Sequence, residues 1–205
     1  MRIGTRSVLF GAHQFVVHPL FVAWAWWTLY GFPIDPRLWV SFFVHDLGYI
    51  GKPDMDGPEG ERHPELGASI MHVFDRFGSN GHHWHDFSLL HSRTYARAVG
   101  KPPSRLCMAD KLAIALTPGW LYLPLVRASG EIHEYMAHGK YGATAEPPTS
   151  GDSRPTTRHT QAMWYEGLRS DSRRYAYSSR DAAASAPSSS EPQARARGLR
   201  REGRT

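Results

Sequence analysis

The chain has 205 residues, 41% of them hydrophobic and 21% charged, with a net charge of +5 and a single cysteine. That length suits one domain around one sizeable core, while the lone Cys107, aperiodic glycine and missing heptads exclude disulfide-scaffold, collagen-like and coiled-coil architectures. Residues 1–145 carry 13 Lys and Arg against 12 Asp and Glu, whereas residues 146–205 carry 11 Arg against 7 acids, so the globular part has no footprint for nucleic acid.

Taken in chain order, the first feature is Ser7 to Ile34, which contains no Asp, Glu, Lys or Arg and is long enough to span a bilayer. Met1 to Arg6 is basic, and Ala23-Trp24-Ala25 is similar to a signal-peptidase site. Against a span or an export signal stand His13, Gln14, His18 and Pro19, and the stop at Gly31-Phe32-Pro33. What remains is a helix from Pro19 to Tyr30 with Val22, Ala25, Trp26 and Leu29 on one stripe. The spacing predicts a core helix, with Trp24, Trp26 and Trp27 packed inside and no membrane partner.

Asp35-Pro36 starts a second helix whose apolar run, Leu38 to Leu47, predicts burial all round. Residues 48–62 are rich in Gly, Pro and acids and read as a loop. Pro64 opens a third helix, with Leu66, Ile70, Val73, Phe74 and Phe77 as its buried stripe, broken at Gly78-Ser79-Asn80-Gly81. A fourth runs from about Asp86 to Ala98. Ser104 caps a fifth, which carries Leu106, Ala109, Ala113 and Leu116 on one face and stops at Thr117-Pro118-Gly119. An apolar segment kinked at Pro124 and a short helix near Glu131–Met136 follow. Residues 143–162 read as a loop, and Met163 to Tyr177 packs one more helix through Trp164, Leu168 and Tyr175. From Ser178 the Ala/Ser/Pro/Arg composition cannot offset its ordering entropy. The expectation is an all-α bundle over residues 1–178 and a disordered tail over 179–205.

Eleven of the twelve His precede residue 146, and several interrupt apolar stripes. His45-Asp46 ends the run Leu38 to Val44, Asp110 sits between Ala109 and Ala113, and His18 lies one turn before Val22. A buried carboxylate without a partner is prohibitive, and a cation that gathers carboxylates and imidazoles removes the difficulty.

His18, His45-Asp46 in "FFVHDLGY" and Asp110 in "ADKLA" together resemble the signature of the HD-domain metal-dependent phosphohydrolase superfamily. The resemblance covers about residues 10–140 and implies an all-helical fold with ligands on separate helices. His63, in His63-Pro64-Glu65-Leu66-Gly67-Ala68, and His91, 19 residues before Asp110, resemble second-metal ligands of two-metal members. The implied first site is His18, His45, Asp46 and Asp110. The second is held by Asp46, His63 and His91, with Asp46 bridging. His13 competes with His18, and His82, His83 and His85 compete with His91.

The resemblance implies two divalent cations, Fe or Mn ahead of Mg, Co, Ni or Zn, and hydrolysis of a small phosphorylated, nucleotide-like substrate by metal-bound hydroxide. Asp46, Lys111 and Arg93 are the catalytic candidates, the two cations serving the phosphate. Lys52, the loop acids Asp54, Asp56, Glu59 and Glu61, and Tyr49 are possible pocket groups that surface or packing roles explain as well. A cytoplasmic enzyme, with a homodimer possible, is the expectation. Two other readings share these residues: a diiron oxygenase of the same fold, and a non-catalytic ligand-binding module. The second draws on the missing Lys right after the His-Asp-Leu-Gly stretch, Lys52 standing three residues beyond Tyr49, and on the acidic loop.

Overall fold

The computed structural model describes residues 1–77, 83–137 and 158–185. Those residues form ten α-helices and three short 3-10 turns, with no strand among them. The helices are α1 (Ile3–Phe10), α2 (Val17–Tyr30), α3 (Pro36–Val44), α4 (Pro64–Met71) and α5 (His83–Leu89), then α6 (Arg93–Ala98), α7 (Arg105–Leu116), α8 (Gly119–Ser129), α9 (Glu131–Ala137) and α10 (Arg158–Ser185). The all-α expectation is met.

The organising element is α7, packed between α2 and α10. Leu106, Cys107, Met108, Ala109, Leu112, Ala113 and Ala115 are all buried, because this helix has neighbours on nearly every side. Val22, Ala25, Trp26 and Leu29 of α2 meet it, with Phe42 from α3 and Ala176 from α10 closing the cluster. Leu106 and Leu112 each contribute about 2 kcal/mol through the apolar area they remove from water. A second cluster joins Tyr122, Leu123 and Val126 of α8 to Ile132, Trp164, Tyr165 and Leu168.

Local chemistry sets several boundaries. Asp35 caps α3, its Oδ1 accepting from Arg37 N at 2.9 Å with Pro36 in the first turn. Ser92 caps α6 by accepting from Thr94 N at 3.2 Å. Gly130 ends α8 at φ +88°, in the left-handed region glycine favours.

Several expectations are corrected. Residues 3–10, assigned no element from the sequence, form α1. Only Ser41 and Phe42 of α3 are buried, since Val40 faces outward and α3 is an edge helix. The buried face of α4 is Pro64, Gly67, Ala68 and Met71, while Leu66, Ile70 and Val73 are exposed. The reason is close approach. A Cβ on Gly67 would stand 2.8 Å from Val44 O and 2.9 Å from His45 Cα, so the small residues make the contact.

The expected fourth helix is two, α5 and α6, broken around Leu90–Ser92. Trp26 is buried, but Trp24 and Trp27 are exposed. Ser104 precedes α7 without a side-chain cap bond. The last helix starts at Arg158, inside the expected loop, and continues to Ser185, past the expected start of the tail. The expected break at Gly78–Gly81 and the remainder of the loop and tail lie outside the described residues.

Candidate metal centre

Four helices and two turns deliver six side chains to one place. His18 projects from the first turn of α2 on the side of Val22, and Asp110 projects from the middle of α7, the helix α2 packs against. His45 closes α3, and Asp46 follows it into the 3-10 turn Leu47–Tyr49. That turn lies directly on the start of α4, because Gly48 carries no Cβ; one would sit 1.9 Å from His63 O. His63 is thereby set beside Asp46. His91 enters from the break between α5 and α6, and not from within a helix as its sequence context suggests.

Two groups result. Ligand atoms of His18, His45, Asp46 and Asp110 lie within 4.8 Å of one another, as do those of Asp46, His63 and His91. Asp46 belongs to both. Its Oδ2 lies 3.3 Å from His18 Nε2 and 3.1 Å from His45 Nε2. Its Oδ1 lies 3.6 Å from His63 Nε2 and 3.5 Å from His91 Nε2. Asp110 Oδ1 is 3.2 Å from His18 Nε2, and its Oδ2 accepts from Lys111 Nζ at 2.9 Å.

The tautomers give the arrangement its meaning. His45 Nδ1 donates to Phe42 O at 2.9 Å, His63 Nδ1 to Gly60 O at 2.8 Å and His91 Nδ1 to Ser88 O at 2.5 Å. A carbonyl oxygen only accepts, so in each neutral ring Nε2 is a bare lone pair aimed at Asp46. His63 Nε2 also faces His91 Nε2 at 3.1 Å. Lone pairs facing a carboxylate and each other repel unless a cation lies between them. His18 Nε2, His45 Nε2 and Asp46 Oδ2 are buried without a hydrogen-bond partner, which fits the same conclusion. The buried His and Asp residues can hold metal.

Electrostatics agree. Burial opposes charge on Asp46 and Asp110, yet their neighbours hold both well below the usual carboxylate range, the imidazoles of His45 and His13 foremost for Asp46 and the Lys111 ammonium for Asp110. Burial, then the nearby His91, pushes His63 well below the usual imidazole value, leaving it neutral and able to ligate. For His18, burial lowers the pKa, but the Asp110 and Asp46 carboxylates facing its Nε2 outweigh it and push it up to about 9. Without metal, a proton on His18 stands where the cation would.

The sign of the pH dependence follows. Metal must displace the His18 proton, so affinity rises by about tenfold per pH unit from 6.5 towards 9, and binding releases close to one proton per chain from this group. Calorimetry of metal binding in buffers of different ionisation enthalpy checks it; pH-independent affinity across that window would contradict it. In the metal-free protein the same raised pKa gives stability fully present below 6.5 and lost as pH rises through about 9.

Among the described residues, the other candidates stand outside the two groups. His13 is outside both groups: its Nδ1 lies 2.8 Å from Ser7 Oγ and 3.6 Å from the fully buried Glu131, and its ring packs 5.5 Å from that of His18. His83 is exposed and rests against Trp84, and His85 bonds Asp86; His82 lies outside the described residues. Tyr49 is stacked on His63 at 3.9 Å and 11°, a wall of the site. Lys52 pairs with Glu59, and Asp54 Oδ1 closes its own loop by accepting from Gly57 N and Gly60 N.

Arg93 and Lys111 line one cavity of about 450 Å³ together with Arg174 and Tyr175 of α10. The guanidinium of Arg93 lies over the Tyr175 ring at 5.1 Å. The part played by α10 was not legible beforehand, because Arg174 and Tyr175 sit far along the chain in a segment with no motif. Glu131 was missed too; an acid opening a helix after Ser129-Gly130 looks like ordinary N-terminal charge.

No protein-family model, no curated protein and no solved structure matches this chain.

Proposed function

We propose that the chain is a two-metal phosphohydrolase acting on a small phosphate ester or anhydride. The observation that carries the reading is Asp46, a buried carboxylate facing four imidazole nitrogens with a separate pair on each oxygen. Divalent cations at such a pair of sites, typically ~3.5–4 Å apart, supply Lewis acidity that activates water and takes up phosphoryl charge. His18, His45 and Asp110 would hold one, and His63 and His91 the other, with Asp46 shared.

The chain's own cations support a phosphate as the reacting group. Lys111, bonded to Asp110, borders a cavity of about 450 Å³ together with Arg93, Arg174 and the acid Asp171, beside the ligand cluster and not lined by it. In this reading Lys111 would hold a non-bridging oxygen, and Arg93, over the Tyr175 ring, would offer its planar fork. Tyr49, held protonated by burial and by Asp46, closes the site beside His63 without competing for a cation.

The test combines metal analysis with turnover. Purified protein is expected to contain two divalent metals per chain and to release phosphate from p-nitrophenyl phosphate or nucleotides with Mn²⁺. No metal, or O₂-dependent turnover with a mixed-valent iron signal and no phosphate release, would overturn the reading. His63→Ala and His91→Ala are each expected to reduce the content from two metals to one, because the other group retains its four ligands. Retention of both metals in either variant would remove that residue from the ligand set.

A further inference from the structure

We propose that the chain docks on the surface of an anionic lipid bilayer through the outer face of α2, aided by its arginine-rich C-terminal segment. The inner face of α2 is spent on the core and on His18. On the outer face Leu20, Trp24 and Trp27, spaced i, i+4 and i+7, are 51%, 50% and 59% exposed. Phe15 and Val16 extend the exposed apolar run before the helix, and Phe32 and Ile34 continue it beyond Tyr30. Domains that work free in water rarely leave so many large side chains together on the surface.

Two polar side chains in this stretch, Gln14 and the exposed Thr28, are spent on the local backbone. Gln14 Oε1 accepts from Val16 N and Val17 N at 2.9 and 2.6 Å, and Thr28 Oγ1 donates to Trp24 O at 2.9 Å. No Asp, Glu, Lys or Arg occurs from Ser7 to Ile34. A protein partner normally finds about one hydrogen bond per 100–200 Å² of interface, with a polar rim. This face offers almost none, and exposed Trp, Phe and Leu without charge is what the headgroup–acyl boundary accepts.

Residues 78–82, 138–157 and 186–205 contain only Tyr141 and Leu199 as large apolar side chains. The last segment instead brings charge: Arg195, Arg197, Arg200, Arg201 and Arg204 against the single acid Glu202 within residues 195–205. Stable peripheral anchoring takes two signals, and an apolar face with a basic cluster supplies both, whereas two copies would bring two like-charged segments together. No helix among the described residues is long and apolar enough to cross a membrane, so the contact is peripheral. It departs from the expectation of no membrane partner and is independent of the metal reading.

The experiment is co-sedimentation of the full chain with phosphatidylcholine vesicles containing about 30% phosphatidylglycerol, with metal content measured in parallel. The parent is expected to sediment and to show a blue-shifted Trp emission. Leu20→Ser, Trp24→Ser and Trp27→Ser combined are expected to weaken partitioning by more than about tenfold at unchanged metal content and helical circular dichroism. Replacing the five Arg with Gln is expected to abolish the preference for anionic over neutral vesicles and its salt sensitivity. Failure of the parent to sediment, equal sedimentation of the triple variant, or a concentration-dependent dimer that the triple variant dissolves would each overturn the proposal.

Discussion

Asp46→Ala is expected to give a folded protein that holds no divalent metal and has lost at least about a thousandfold in phosphate release. Each Asp46 oxygen serves a different pair of imidazoles, His18 and His45 on one side, His63 and His91 on the other. Removing one side chain therefore takes a ligand from both groups and the charge that balances two cations. A variant of any single His leaves the neighbouring group complete, so Asp46 carries the larger effect. Asp46→Asn separates charge from shape: it keeps the volume and one acceptor oxygen, and is expected to lose most of its metal as well, because neutral amide oxygen is a poor substitute for carboxylate between two divalent ions. Mass-spectrometric metal analysis beside turnover decides it. Full metal stoichiometry in Asp46→Ala would mean that the cations, if present, sit elsewhere.

His18, His45-Asp46 and Asp110 were legible from the sequence for one physical reason. Each puts a charged or polar group on a stripe that periodicity assigns to the core, and the structure buries all four. The helices bearing them were legible where their contact faces are made of large side chains, as at Val22, Trp26 and Leu29 of α2. The same rule failed on α4. There hydrophobic size was read as burial, but the face that meets α3 is made of Gly67 and Ala68, and Leu66, Ile70 and Val73 point outward. Pattern reasoning weighs side chains, and a contact built on the absence of a side chain leaves no apolar signal. His91 illustrates a second limit: nothing in Leu89-Leu90-His91-Ser92 announces a helix break, which becomes visible only when Ser92 caps α6 and His91 Nδ1 turns back to Ser88 O. For α2 the outer aromatic residues were read as core because apolar runs normally are, and Trp24 and Trp27 show that half of this one faces outward.

The second large effect follows from that contact. Gly67→Ala is expected to lower stability by about 3 kcal/mol and the melting temperature by roughly 6–12 °C. The added Cβ would meet Val44 O at 2.8 Å, His45 Cα at 2.9 Å and His45 O at 3.1 Å, all backbone atoms that no rotamer change can move. Relief comes only by lifting α4 off the end of α3. His63, immediately before α4, moves with it, while His18 on α2, His45 and Asp46 at the close of α3 and Asp110 on α7 keep their mutual positions. The variant is therefore expected to retain one metal and lose the other, a packing change that leaves every ligand side chain intact reproducing the result of His63→Ala. Gly167→Ala provides the opposite sign. Gly167 lies inside α10 with nothing within 4 Å of an added Cβ, so alanine there is expected to stabilise by about 0.5–1 kcal/mol and leave both metals in place. Thermal unfolding with metal analysis on the two variants separates the cases; a Gly67→Ala protein with unchanged melting temperature and two metals would show that α3 and α4 do not set the distance between the two groups.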